Sequence, residues 1–235
     1  MIGNDLIDLR DADARPESFR PRFDERVFSA EERQAIARDA SSLARRWAHW
    51  GAKEAAYKLA RQVDSSYVFS PSRLVPRFET EESLIIHHAT GLERCGRLVF
   101  PAPLPNGLEE LEIRSLETAE RVHVVAVPLG SDWGSIDLGI ERIDVRTDDS
   151  SRAVRSFAIG GISRSLGVEA ERISIGRRGR VPIVQLDDVT TSLSISLSHH
   201  GRWIAYAMRL HVETPRRSAG PNAWVGSRGA NAGRA

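Results

Sequence analysis

The chain has 235 residues, 41% of them hydrophobic and 28% charged, with a net charge of +1. That length can bury a substantial core, near-zero net charge argues against a polycation seeking nucleic acid, and no apolar run approaches the ~18 residues that cross a bilayer. The single cysteine, Cys95, excludes an internal disulfide and a multi-cysteine metal site, and the N-terminus, with acids at 5 and 8, lacks a signal-peptide pattern, so a cytoplasmic setting is expected.

Residues 2–9 (IGNDLIDL) read as a short buried strand ending in a turn, with Asp5 and Asp8 three apart. Ser29 and Glu32 fit a capping box and predict a helix over SAEERQAIARDA. Residues 42–63 carry the strongest helical pattern, with Leu43, Trp47, Trp50, Ala55 and Leu59 along one face. From about 67 to 130 the pattern changes to short β-type runs: RLVPRF, SLIIHHAT, GRLVF, LEIRSL and RVHVVAV. His87 and His88 read as structural residues in mid-strand, and FPAPLPNG, with three of the eleven prolines, as a loop. Residues 131–150 look like a connector.

A second helix is expected from Ser150 or Ser151, then strands at ERISIG, VPIVQL, SLSISLS and RWIAYAMRLHV. From Pro215 the chain is rich in Gly, Ala, Arg and Ser and reads as a disordered tail. The expectation is an α+β fold of two parts, 1–145 and 146–214, each with helix followed by strands.

All but two of the 33 Lys and Arg residues are arginine, and the two lysines, Lys53 and Lys58, share the hexapeptide KEAAYK. An ammonium is a compact point charge where a guanidinium is a planar fork, so this cluster points to a place where the compact cation is needed. Glu54 and Lys58 are i and i+4 on one helix face. They could form a plain surface ion pair; alternatively the carboxylate could hold Mg²⁺ while the ammonium neutralises phosphate oxygens. A metal site needs a second acid, for which Asp5 is the candidate, though Asp5 could equally be a turn residue. Ser198, His199 and His200 lie in SLSHHGRW between two strands, where a turn could present hydroxyl, imidazole and backbone N–H groups to an anion, or simply expose histidines. Arg177, Arg178 and Arg180 in GRRGRVP make a basic turn, either solvated or contacting phosphate.

Taken together, IGNDLIDL, RFDERVFSAEER, the W-x-x-KEAAYK segment and SLSHHGRW resemble the 4′-phosphopantetheinyl transferases. The first three are similar to the small holo-acyl-carrier-protein synthase pattern and the last to the S-H-S-G-R-W turn of the larger, surfactin-type two-half enzymes. In surfactin-type enzymes the half with that turn comes first; here it comes second, so the two halves stand in reversed order. The resemblance implies two similar α+β halves packed as a pseudo-dimer, a monomer with its site in the groove between them. It implies transfer of 4′-phosphopantetheine from coenzyme A to a serine of an apo acyl or peptidyl carrier protein, releasing 3′,5′-ADP, with Mg²⁺.

Carried over, Asp5 and Glu54 match the metal carboxylates and Lys58 the lysine on the pyrophosphate, with Glu54 the best base for the carrier serine. Ser198 and His199 match the turn that binds coenzyme A phosphates, and Arg155 and Arg164, nine apart, match an arginine pair. Arg180 stands near the lysine of a Gly-Lys-Pro turn, with Val181 interposed. Ile7 replaces an acid that surfactin-type enzymes carry, and Asp8 resembles a nearby acid of the small synthases. The competing readings are a metal-dependent nucleic-acid enzyme and a non-catalytic carrier-protein-binding module of the same fold.

Overall fold

The computed structural model describes residues 1–86 and 89–210, so His87, His88 and the tail from Pro215 lie outside the described residues. The first strand, β1 (Gly3–Asp8), leads through two 3-10 turns to α1 (Phe23–Val27), α2 (Ala30–Arg38) and α3 (Ser42–Val63). Strands β2 (Val75–Ile86), β3 (Ala89–Val99), β4 (Glu110–Glu117) and β5 (Arg121–Pro128) follow. Then come β6 (Ile136–Arg142), α4 (Ser150–Leu166), β7 (Ile173–Arg178), β8 (Val181–Leu186), β9 (Val189–Thr190), β10 (Ser194–His200) and β11 (Trp203–Arg209). The fold is mixed α+β. Among the described residues no helix is long and apolar enough to cross a membrane.

Strands β1 to β5 form one antiparallel sheet in the order β1-β5-β4-β3-β2, β10-β11-β6 form a second, and β7-β8-β9 a third. The two parts repeat one plan: a strand, a long helix and two hairpins, with the first strand returning to pair with the last, β1 on β5 and β6 on β11. Helix α3 covers the first sheet and α4 the second. Between the two sheets Ile2 and Val125 pack toward Ala207, and Leu6 packs with Trp203 and Ala205.

Helix α2 starts as its sequence demands: Ser29 Oγ accepts the Glu32 N–H and Glu32 Oε2 accepts the Ser29 N–H. Helix α3 spans the residues expected, but its buried face differs. Ala48, Ala52, Ala55, Ala56 and Ala60 are fully buried with Leu59, while Trp47 and Trp50 are only partly covered. Small side chains let the helix lie close on the sheet, and Gly3 carries this furthest: a Cβ there would stand 1.9 Å from the Ala55 carbonyl oxygen.

Two readings are corrected. The runs RLVPRF and SLII are one strand, β2, and its partner β3 joins the segments from Ala89 to Val99. The stretch 131–150 is no mere connector, because it contains β6, paired along its length with β11. The second sheet therefore takes a strand from before residue 146. Gly139 interrupts the apolar pattern there because Tyr206 fills its side-chain space, 2.2 Å from where a Cβ would stand.

Candidate active site

The close approach of β1 to α3 brings Asp5 to Lys58. Lys58 Nζ donates to Asp5 Oδ1 at 2.8 Å and to the Asn4 carbonyl at 2.9 Å, and stands 3.4 Å from Ser198 Oγ. The i,i+4 ion pair with Glu54 does not form: among the described residues Glu54 has no cation within ion-pair distance. Its carboxyl is driven up to about 7, first by burial and then by the Asp5 charge, with Lys58 opposing. A partly buried carboxylate facing a second carboxylate is an arrangement that a divalent cation would relieve.

Mg²⁺ keeps waters and substrate phosphates in its shell and needs only one or two protein carboxylates, so the absence of any group of three acidic, His or Cys ligands among the described residues does not conflict with it. Neither Ile7 nor Asp8 supplies another ligand. Ile7 lies in the core. Asp8 is buried and occupied by Arg202, whose Nε and Nη2 reach its two oxygens at 2.8 Å each, while the Arg202 and Arg10 N–H groups donate at 3.0 and 2.9 Å.

In an antiparallel pair alternate N–H groups point away from the partner strand and need other acceptors. On β1 these belong to Asn4, Leu6 and Asp8. Their acceptors are side chains at alternate positions of β10: Ser196 Oγ at 2.9 Å, Ser198 Oγ at 3.0 Å and His200 Nδ1 at 3.1 Å. Gln62 of α3 extends the seam, accepting from Ile2 N–H at 3.2 Å and donating to the carbonyls of Ile2 and Ile195 at 2.6 and 3.3 Å. Ser198 Oγ also donates to Asp5 Oδ1 at 3.1 Å. Ser198, His199 and His200 thus sit on strand β10 itself rather than in a turn, and only Gly201, at φ +51°, begins the reversal.

His199, alternate to that seam, faces the other way into a cleft of about 440 Å³ between the halves. Its lining includes Lys58 and Arg61 from α3, Arg155 from α4, Arg177 and Arg180 from the β7–β8 hairpin, and His199, with no Asp or Glu. Burial lowers the His199 pKa, and the Lys58 charge adds to this. Arg155 is held by Ser151, its Nη1 lying 2.6 Å from both the carbonyl and the hydroxyl. Lys58 belongs to both groups, lining the cleft and holding Asp5.

Of the residues expected at the site, Asp5, Glu54, Lys58 and Ser198 meet at one end, and His199, Arg155 and Arg180 line the cleft. Arg164 does not join them. Nine helical residues amount to about 900°, two and a half turns, so Arg164 is on the opposite side of α4 from Arg155, beside Tyr206. The lysine pointer also splits. Lys53 is fully buried, its Nζ 2.7 Å from Glu32 Oε1 and donating to the carbonyls of Pro71 and Leu74 at 3.0 and 2.5 Å. It ties α3 to its surroundings and has no place in the cleft. No role was read from the sequence for Gln62 and Arg61, or for Ser196 and Arg202 within SLSHHGRW; the Ser-x-Ser-x-His alternation was the available signal for the seam.

A family model described as the 4′-phosphopantetheinyl transferase superfamily matches residues 1–84. Those residues carry the superfamily's pattern. The matched segment runs from the start of the chain into β2 and contains Asp5, Glu54 and Lys58. The superfamily match supports a phosphopantetheine-transfer class of activity, and the second half, with Arg155, Arg180, Ser198 and His199, lies outside it. No curated protein and no solved structure matches the chain.

Proposed function

We propose that this chain transfers 4′-phosphopantetheine from coenzyme A to a serine hydroxyl of an apo acyl or peptidyl carrier protein, releasing 3′,5′-ADP, and that it requires Mg²⁺. The observation that carries this reading is the junction at Lys58: an acid pair on one side and, on the other, an acid-free cationic cleft shaped by both halves. A cleft with so many cations and no counter-charge fits a ligand bearing several phosphates.

In this reading the residues divide the work. Asp5 and Glu54 would hold Mg²⁺, which when bound supplies charge stabilisation to the pyrophosphate oxygens. The Lys58 ammonium contacts the same pyrophosphate and offsets the charge that develops as its bond breaks. Glu54 is the carboxylate placed to accept the proton from the carrier serine hydroxyl. His199, Arg155 and Arg180 bind phosphate oxygens and fix the donor. Ser198 acts differently from the resemblance: its hydroxyl is engaged with Leu6 and Asp5, so it orients Asp5 rather than gripping coenzyme A. Because one chain supplies both walls, a monomer suffices.

The test is incubation with coenzyme A, Mg²⁺ and a panel of apo carrier proteins, read by intact mass and by release of 3′,5′-ADP, with a chelator control. Metal-dependent gain of one phosphopantetheine group per carrier supports the reading. Carrier binding without any mass gain across the panel would leave the non-catalytic module in its place.

A further inference from the structure

A second groove, of about 380 Å³, lies beyond the C-terminal end of α3 and shares no lining residue with the cationic cleft. One wall is the loop after α3, with Tyr67 and Val68, and the other is the proline loop 101–105. Val68 is 79% exposed, the most of any large hydrophobic residue among those described, and Pro101, Pro103 and Pro105 are exposed across from it. The groove's two charges, Asp64 and Arg73, are opposite in sign, so it attracts neither an anion nor a cation. An open apolar concavity of this kind marks a place where another segment docks.

The chain itself carries a matching segment. Strand β11 ends at Arg209, and the described residues end at Leu210. Beyond them, residues 218–227 (SAGPNAWVGS) carry no charge, and Trp224 is the only Trp, Tyr or Phe after Tyr206. The end of β11 lies near the groove. Ala207 packs with Ile2, and the adjacent Met1 meets Asn106, whose Nδ2 donates to Met1 Sδ at 3.8 Å directly after the proline loop. The fourteen residues 211–224 can reach about 45–50 Å when extended, roughly the diameter of a domain this size, and a random coil of that length spans about 20 Å. A tether that short puts Trp224 at an effective concentration in the millimolar range, so even a contact with a Kd of about 0.3 mM would be mostly closed.

We propose that Trp224 and Val225 dock in the groove between Tyr67 and the proline loop, so that the chain covers its own exposed apolar surface. An indole brings about 200 Å² of surface to such a contact, and its N–H can stay at the wet rim. Prolines and aromatic rings are regular partners in grooves that bind extended peptides. The proposal does not depend on coenzyme A being the donor, because the groove and the cleft are separate.

The experiment is fluorine NMR of the full chain labelled with 5-fluorotryptophan, which gives one resonance for each of the five tryptophans. Trp224→Phe assigns the Trp224 line, a soluble paramagnetic chelate reports its exposure, and circular dichroism with Tm verifies that every variant folds. Val68→Asp and Pro103→Asp place a charge on each wall at exposed positions. Docking predicts that the chelate broadens the Trp224 line at least about threefold less in wild type than in either wall variant, and that dilution leaves the wild-type value unchanged. A Trp224 line broadened equally in wild type and both variants overturns the proposal. Protection that survives both substitutions places Trp224 elsewhere and overturns it too. Protection that fades on dilution gives the groove to the tail of a second copy and overturns docking within one chain.

Discussion

Asp8→Asn tests how firmly the two halves are clasped. The Asp8 side chain is 1% exposed, and that of Arg202 is 27% exposed. Burial alone would raise the Asp8 pKa, but the Arg202 guanidinium and the N–H groups of Arg202 and Arg10 outweigh it and hold the carboxyl at about 2, against an ordinary 3.8. That depression corresponds to about 2 kcal/mol of folding stability. The group is an acid with a lowered folded pKa, so its contribution is complete above about pH 4 and is lost as pH falls toward 2. Asparagine keeps the shape, loses the charge and turns an N–H toward the guanidinium. For a chain of this length about 2 kcal/mol lowers Tm by about 4–8 °C. Arg202 can rehydrate, which keeps the cost below the 3–5 kcal/mol typical of a fully buried pair. Thermal melts of wild type and Asp8→Asn should show that gap at pH 7 and its narrowing between pH 4 and pH 2.5. A gap under about 1 °C at pH 7, or one unchanged in acid, would refute the clasp.

Lys58→Arg should lower transfer strongly without unfolding the chain, because a planar fork cannot make the Asn4 and Asp5 contacts and face the pyrophosphate from one point; wild-type kcat/KM would remove the role. His199→Ala should raise the KM for coenzyme A with a smaller effect on kcat, whereas Ser198→Ala should lower kcat and Tm together, since it frees Asp5 and leaves the buried Leu6 N–H without its acceptor. Identical kinetic signatures from the two variants would contradict the division between the seam and the cleft.

Much of the local structure was legible because its causes are local. The capping box at Ser29, the extent of α3 and the two hairpins around Gly179 and Gly201 follow from neighbours in sequence. What escaped depends on distant partners. The strand in 136–142 was hidden because Gly139 breaks the apolar pattern, and the reason is the Tyr206 ring. The alanine face of α3 is inconspicuous beside two tryptophans, yet close packing needs small side chains. Scarcity of lysine could not tell the buried staple, Lys53, from the lysine that lines the cleft, Lys58. The acids Asp5 and Asp8 look alike in sequence; only their partners separate them, Arg202, 194 residues away, for Asp8 and Lys58 with Ser198 for Asp5. The family resemblance paired Arg164 with Arg155, and helical geometry places it on the other face.

The central claim is that the acids at Lys58 serve the chemistry while the cationic cleft binds the donor. The most direct test compares wild type with Glu54→Gln, measuring coenzyme A affinity in metal-free buffer and carrier modification by intact mass with Mg²⁺. The amide has nearly the same shape and places no second negative charge beside Asp5, so folding and coenzyme A binding should be retained. The account predicts equal affinity within about threefold and transfer reduced by at least about a hundredfold. Glu54→Gln turnover matching wild type, or loss of coenzyme A binding equal to the loss of transfer, would contradict it.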